Sequence, residues 1–439
     1  MNKFKLILLG LCLCVGDAFS QQAEASAPEN YVFTLEQCLE YAFGNSYVRK
    51  SMQLSEEVAS ESYSQAKKER LPSVSASVGE SLSHTGSESS VNFSGNAGVS
   101  ASVAIYQGGS ISNTIEQKKI QANRAQLQTA AYDYDLTIQI VEAFLGVLGN
   151  EELLKYQRTI LKASEEQLEQ GKNKFRVGSI LESDYLVLEA QHASDLNNIL
   201  ETEISRENSL LLLKSLLSME PSANLQILYP NDSLIDELAL LPSMEEAVNL
   251  GLETMPSLKL NQSDIDLANV SMEISKAGWR PSLNANASVG TGHNNFDDFG
   301  SQLGDRFNQQ IGLSLNIPIY DRGRTRSVVN QGKIALQQAE LDKLQTELDI
   351  RQTITKEYMN VQLAYKKYKA TDIKRKAYQK SFEAYNHKFA AGAIVAVDLL
   401  QQQNNYISAL NEYIQAKYKF IFKRKVLDIY MGTGVLGAE

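Results

Sequence analysis

Laid over its own first half, the second half of this 439-residue chain matches in two registers. At an offset of 209, Leu35-Glu36 falls on Met244-Glu245, Pro72 on Pro281, Ala76 on Ala285 and His84 on His293. At an offset of 214, Ile105-Tyr106 falls on Ile319-Tyr320, Phe175 on Phe389, Gly178 on Gly392 and Asp184 on Asp398. A self-match of this kind means that one structural unit is built twice, so only folds that pack two like units side by side are open to the chain. The offset changes by five residues between His84 and Ile105, which gives the second unit the longer loop there.

The repeat divides the chain into a first unit at 21–218, a connector at 219–242, a second unit at 243–431 and a tail at 432–439. Pro221, Pro230 and Pro242 rule out one uninterrupted helix across the connector, which reads as short strands. Each unit reads helix, β-hairpin, long helix, tight turn, helix. The hairpins fall at about 73–106 and 282–320. In the first, Val91, Phe93, Gly95, Ala97, Val99, Ala101, Val103 and Ile105 alternate with Asn, Ser, Gly and Ala, and Val74, Ala76, Val78 and Leu82 alternate with serines. In the second, Leu283, Ala285, Ala287 and Val289 form one apolar row, and Ile311, Leu313, Leu315, Ile317 and Ile319 form another. Period two at this length suits a strand tilted through a bilayer, which needs about 9 to 11 residues with apolar side chains to lipid and small polar ones to a wet lumen. A soluble sandwich also alternates, but here the polar face carries Ser, Asn, Gln and Gly and hardly a charge.

The helices after the hairpins carry a coiled-coil seam. Ile120, Leu127, Tyr134, Ile138, Val141, Leu145 and Leu148 recur at spacings of seven, four and three, and Ile334, Leu341, Leu348 and Met359 repeat the pattern. Residues 111–170 and 325–387 hold no Pro and no Gly cluster, so each helix can exceed about 60 residues, or about 90 Å. The return helices keep register, Leu186, Ala193, Leu196 and Leu200 matching Leu400, Ile407, Leu410 and Ile414. Between outward and return helices stand Gly178 and Gly392, each able to supply the left-handed residue that ends a helix.

The N-terminus has Lys3 and Lys5, an apolar run from Leu6 to Val15, and Ala18-Phe19-Ser20. Basic, apolar and small-residue regions in that order predict a signal peptide at 1–20, too short to span a membrane as a helix. Its loss removes Lys3, Lys5 and Asp17, leaving 40 basic and 51 acidic residues and a net charge of −11 against −10. An acidic chain of this kind is not a nucleic-acid partner. Lipid attachment at Cys12 or Cys14 is the alternative, but each follows a leucine where lipoprotein signals carry a small residue. Cys38 is then the one remaining thiol, so no intrachain disulfide forms.

Four strands cannot close a barrel, and an open edge in lipid leaves backbone groups unsatisfied at several kcal/mol each. The chain is therefore expected to oligomerise. Eight strands from two copies would fill their own interior, whereas twelve from three leave room for a lumen, and threefold cyclic symmetry is the economical choice.

The duplicated plan, the Phe-x-x-Gly tips at 175–178 and 389–392 with Asp six residues after each Gly, Ile-Tyr-x-x-Gly at 105–109 and 319–323, and Met255-Pro256-Ser257-Leu258 resemble TolC-like outer-membrane efflux proteins. The resemblance covers essentially the whole mature chain and rests on the ordered set in duplicate. It implies a mixed fold of long α-helical hairpins forming an α-barrel tunnel, with four transmembrane β-strands per chain closing a twelve-stranded β-barrel in a homotrimer. It also implies a passive exit duct, in a tripartite efflux pump or a type I secretion system, that meets a periplasmic membrane-fusion adaptor and an inner-membrane pump or secretion ATPase. The barrel would sit in outer-membrane lipid and the helices in the periplasm.

By the same resemblance, Asp398 faces the axis at the periplasmic entrance, where three copies would form a carboxylate ring, and the tips at Val177, Gly178, Ser179, Ala391, Gly392 and Ala393 dock the adaptor. The plainer reading of Asp398 and of its counterpart Asp184 is a carboxylate in a helix's first turn, suited to the dipole. Known members often carry a second acid three residues on, here Gln401, and Tyr and Arg latch residues, here Phe389 and Ile394. A closed entrance must therefore be held by other contacts.

No catalysis, cofactor or metal is expected. His84 and His293 read as exposed residues at the outer hairpin turns, without ligand-spaced acids or Cys. His192 and His387 lie on helices with no Ser or Cys placed nearby by sequence, and no Gly-rich phosphate loop occurs. The reading from another class is a non-pore periplasmic or cell-surface coiled-coil scaffold, which has no use for four strands of membrane-spanning length.

Overall fold

The structure, a computed structural model, describes residues 30–84, 91–228, 241–294 and 299–433. The expected signal peptide, residues 229–240 of the connector and all of the tail beyond 433 lie outside them.

Each unit opens with two short helices set end to end. Helix α1 (Leu35–Asn45) begins in a capping box, in which Thr34 and Gln37 satisfy each other's backbone N–H, and α2 (Tyr47–Lys68) is capped by Ser46. Their counterparts are α5 (Met244–Thr254), capped by Ser243, and α6 (Pro256–Lys276), whose Pro256 sits where a helix needs no donor. Helices α3 (Ser110–Arg176) and α8 (Arg324–Ala390) are 67 residues each, about 100 Å long. The return helices α4 (Glu182–Leu216) and α9 (Ala396–Tyr430) are 35 residues each. Both boundaries of each long helix and of each return helix repeat after 214 residues.

Strands β2 (Ser73–His84), β3 (Val91–Gln107), β5 (Ser282–His293) and β6 (Asn308–Asn316) form one antiparallel sheet in that order. The two hairpins join through β3 and β5, from Gly95 opposite His293 to Gln107 opposite Ser282. A bulge between Ala104 and Tyr106 brings Tyr106 opposite Leu283, on the apolar face. That face stands open, with Val74, Val78, Leu82, Ile311, Leu313 and Leu315 all exposed.

The second hairpin departs from expectation at two places. Strand β6 ends at Asn316 rather than running to 320, because Pro318 has no N–H for the ladder; Ile317, Ile319 and Tyr320 belong to the link into α8. The longer loop holds a short helix, α7 (Phe299–Asp305).

The cores lie along the helices. One gathers α1, the middle of α3 and the end of α4 around Cys38, Leu39, Phe144 and Leu213, together with Leu225 and Ile227 of β4 (Asn224–Ile227). Strand β4 pairs parallel with β1 (Asn30–Phe33). Burial pushes the Cys38 thiol up to about 12, so it is an inert packing residue. A second core joins α5 to α8 and α9 through Ala247, Ile354, Val361 and Phe420. The third runs toward the tips and contains Ile160, Leu188, Phe382, Phe389, Leu399 and Leu410. The two expected seams differ in fate: Val141, Leu145 and Leu148 are buried, whereas Ile334, Leu341, Leu348 and Met359 stand exposed in the single chain.

Candidate functional site at the helical tips

Both tips are the same turn. Gly178 (φ 71°) and Gly392 (φ 74°) take the left-handed conformation that a Cβ disfavours. Gly178 N donates to Phe175 O at 2.9 Å and Ser179 N to Lys174 O at 2.8 Å; Gly392 N donates to Phe389 O at 3.0 Å and Ala393 N to Lys388 O at 2.9 Å. These paired bonds are the Schellman pattern, which satisfies the last carbonyls of a helix. Val177, Gly178, Ser179, Ala391, Gly392 and Ala393 are all exposed at the far end of the hairpins.

Asp184 and Asp398 occupy the third positions of α4 and α9. The N-cap residues there, Leu181 and Val395, have no side-chain acceptor, so the first-turn N–H groups meet no capping oxygen and a carboxylate in that turn suits them. Asp398 is exposed and Asp184 half-buried, and among the described residues neither carboxylate makes a hydrogen bond or ion pair. Gln401 donates to Asn405 at 3.3 Å.

The two hairpins are tied together by residues that the repeat did not single out. Lys174, in the last turn of α3, donates from Nζ to Phe389 O at 2.6 Å and Ala390 O at 3.4 Å, and lies 4.5 Å from the Phe389 ring centre. A cation thus closes the negative end of α8 from the neighbouring hairpin. The Phe389 side chain is buried beneath it. Farther from the tips, Gln167 donates to Asn386 at 3.1 Å.

Buried Asp195 of α4 accepts from Gln191 at 2.8 Å and from fully buried Gln403 of α9 at 2.9 Å. Burial raises the Asp195 carboxyl above its ordinary range, against the lowering effect of Gln191, Ser164, His192 and Gln403. The signal for this layer was a polar residue on an inward row, since Asp195 falls between buried Leu188 and Ile199. Lys174 left no such signal.

The histidines need two corrections. His293 is no exposed turn residue: it is buried, its Nε2 lies 3.0 Å from Glu80 Oε2 across Gly95, and its ring lies 4.8 Å from that of Phe93. His192 does have a serine nearby, with Nδ1 3.5 Å from Ser164 Oγ. Ser164 is itself buried and donates to Leu161 O, and Asp195 is held by amides rather than by the imidazole, so the three do not make a nucleophile–base–acid relay.

The model of the family described as "Outer membrane efflux protein" matches residues 49–218 and 247–433. The chain belongs to the outer membrane efflux protein family. It is 24% identical over 396 residues to the outer membrane protein TolC of Vibrio cholerae, covering 87% of this chain and 86% of that one. It is also 24% identical over 311 residues to the alkaline protease secretion protein AprF of Pseudomonas aeruginosa, covering 68% of this chain and 62% of AprF. The crystal structure of the Campylobacter jejuni CmeC outer membrane channel superposes with a TM-score of 0.78 at 17% identity, covering 92% of this chain and 87% of that one. As an outer membrane efflux protein, the chain is an outer-membrane exit duct with its helical part in the periplasm. The family consists of channel proteins rather than enzymes.

Proposed function

We propose that three copies of this chain close a twelve-stranded barrel above a helical tunnel, which docks at its tips on a periplasmic adaptor and carries substrates delivered by an inner-membrane pump or secretion ATPase to the exterior. One observation supports this reading above the others: β2 and β6 are the edges of an open four-stranded sheet that exposes an apolar face. In lipid such edges need partners, and other copies of the same sheet are the available ones. The tips at 177–179 and 391–393 supply the docking surface, and Asp398 from each copy lines the entrance, where a ring of like charge attracts cations and repels anions. Lys174 closing the end of α8 is the contact that substitutes for the Tyr and Arg latch residues this chain lacks.

Detergent-extracted protein should sediment as three chains and conduct in planar bilayers. A monomer without conductance overturns the proposal.

A further inference from the structure

Charge is distributed unevenly along the sheet axis. Residues 73–107 and 282–316, which span the four strands and the turns that join them in pairs, carry one basic and five acidic residues. The segments where helices meet the sheet, 67–70, 276–280 and 321–326, carry eight basic and two acidic residues. In a chain of net charge −10, that is a basic collar at one end of the sheet.

The fold brings these segments to one level. Gln107 pairs with Ser282 and Ser282 with Asn316, so the end of β3, the start of β5 and the end of β6 lie together. Arg280 Nη1 donates to Gly108 O at 2.9 Å and Arg70 Nη2 to Ser112 Oγ at 3.2 Å. Gly278 abuts the start of α8, where a Cβ on it would lie 2.8 Å from Thr325 Oγ1. Arg322, Arg324 and Arg326 are exposed, and among the described residues their guanidinium groups make no hydrogen bond or ion pair. The Asp321 carboxylate is occupied by the backbone N–H groups of Gly323 at 2.9 Å and Thr325 at 2.8 Å.

Arg322 is held against its backbone preference. Its φ is 58°, in the left-handed region, where its counterpart 214 residues earlier is Gly108 with φ 62°. A Cβ is costly in that region, and a strained residue kept where glycine is easier points to a use for its side chain.

The helical part lies in the periplasm, so this end of the sheet meets the periplasmic leaflet of the outer membrane. Exposed Trp279 precedes Arg280, and exposed Tyr320 stands two residues before Arg322. Rings of this kind mark headgroup depth on a membrane barrel. We infer that the collar binds anionic phospholipids of the periplasmic leaflet, the headgroup phosphate accepting from the guanidinium groups at Arg322, Arg324 and Arg326. Guanidinium forks suit phosphate oxygens, and continuity with the lipid-facing sheet makes a bilayer lipid the occupant. The inference rests on the membrane-barrel reading above and adds a lipid class to it.

Trp279 is the single tryptophan of the chain and reports on this level directly. Full-length protein is reconstituted in phosphatidylcholine bilayers containing brominated phosphatidylglycerol or, in parallel, brominated phosphatidylcholine, and quenching of Trp279 fluorescence is measured. The anionic lipid should be preferred by about fivefold, the factor one basic residue supplies at an anionic surface, and the preference should fall toward one at about 1 M salt. Arg322→Gly, Arg324→Gln and Arg326→Gln together should abolish it, the glycine restoring the residue of the first unit without strain. Equal quenching by the two lipids in the unsubstituted protein overturns the inference, as does a preference that survives high salt or the triple substitution. Conductance of the same bilayers separates the two readings: conducting channels without lipid preference sink the collar alone, whereas protein that neither conducts nor is quenched by either lipid sinks the barrel as well.

Discussion

Asp398 is a single carboxylate at the third position of a return helix, with Gln401 where a second acid could stand. On the proposed entrance, three such charges form one ring, which should hold multivalent cations less tightly than a double ring. Asp398→Ala should lower cation selectivity in bilayer recordings and relieve block by trivalent cations added on the periplasmic side. Unchanged selectivity and block in a well-assembled variant would remove Asp398 from conduction and leave it the dipole-facing role of Asp184. Asp195 makes a different prediction, through pH. Its folded-state pKa lies above the unfolded value because burial disfavours the charge. The stability it lends is therefore complete below about pH 4, the ordinary carboxylate range, and is lost as pH rises through the raised folded value. Melting curves of detergent-solubilised protein from pH 4 to 8 should show the wild type losing stability relative to Asp195→Asn as pH increases. Parallel pH profiles would show that the seam absorbs the charge without cost.

At the level of elements, the two tips separate what turns the chain from what is presented to a partner. The glycines are needed for their positive φ, and an added Cβ at Gly178 or Gly392 would meet nothing within 4 Å. Alanine there therefore costs backbone strain of about 1 kcal/mol and no clash. Val177, Ser179, Ala391 and Ala393 are exposed beside them. Bulky or charged residues at these four positions should leave sedimentation unchanged and abolish adaptor-dependent efflux in cells. Wild-type efflux from normally assembled particles would exclude docking at the tips. Strand β6 teaches the complementary lesson: alternation continues through Ile317 and Ile319 in sequence, yet the ladder ends at Asn316, two residues before Pro318.

The whole molecule is a half-finished object when seen as one chain. Its sheet has two open edges and an uncovered apolar face, and its second outward helix shows Ile334, Leu341 and Leu348 to solvent. Soluble monomers rarely keep apolar surface of such extent without a partner or a membrane to cover it. A coiled-coil scaffold would account for the helices alone, and the strands then have no role. On the proposed reading, closure by three copies would cover the sheet edges, the sheet face against lipid and the bare helix faces together, which is why sedimentation and conductance are measured on the same preparation.

The sequence alone determined the duplication, the alternation of the strands, the uninterrupted length of the helices and the glycine at each tip. These are readable because each depends on local spacing or on a backbone conformation that few residues adopt. Which copies of equivalent residues are buried was decided only in three dimensions. Leu200 and Ile414 carry the same period on matching helices, and one is half exposed while the other is buried, because the face of α9 that carries Ile414 clusters with Ile160 of α3 in the other hairpin and the matching face of α4 is not covered in this way. Lys174 reaching the carbonyls of α8, Gln403 meeting Asp195 across 208 residues, and His293 meeting Glu80 across 213 are likewise products of tertiary packing. A side chain's long-range partner leaves no period in the sequence; it is set by which helix and strand faces come together.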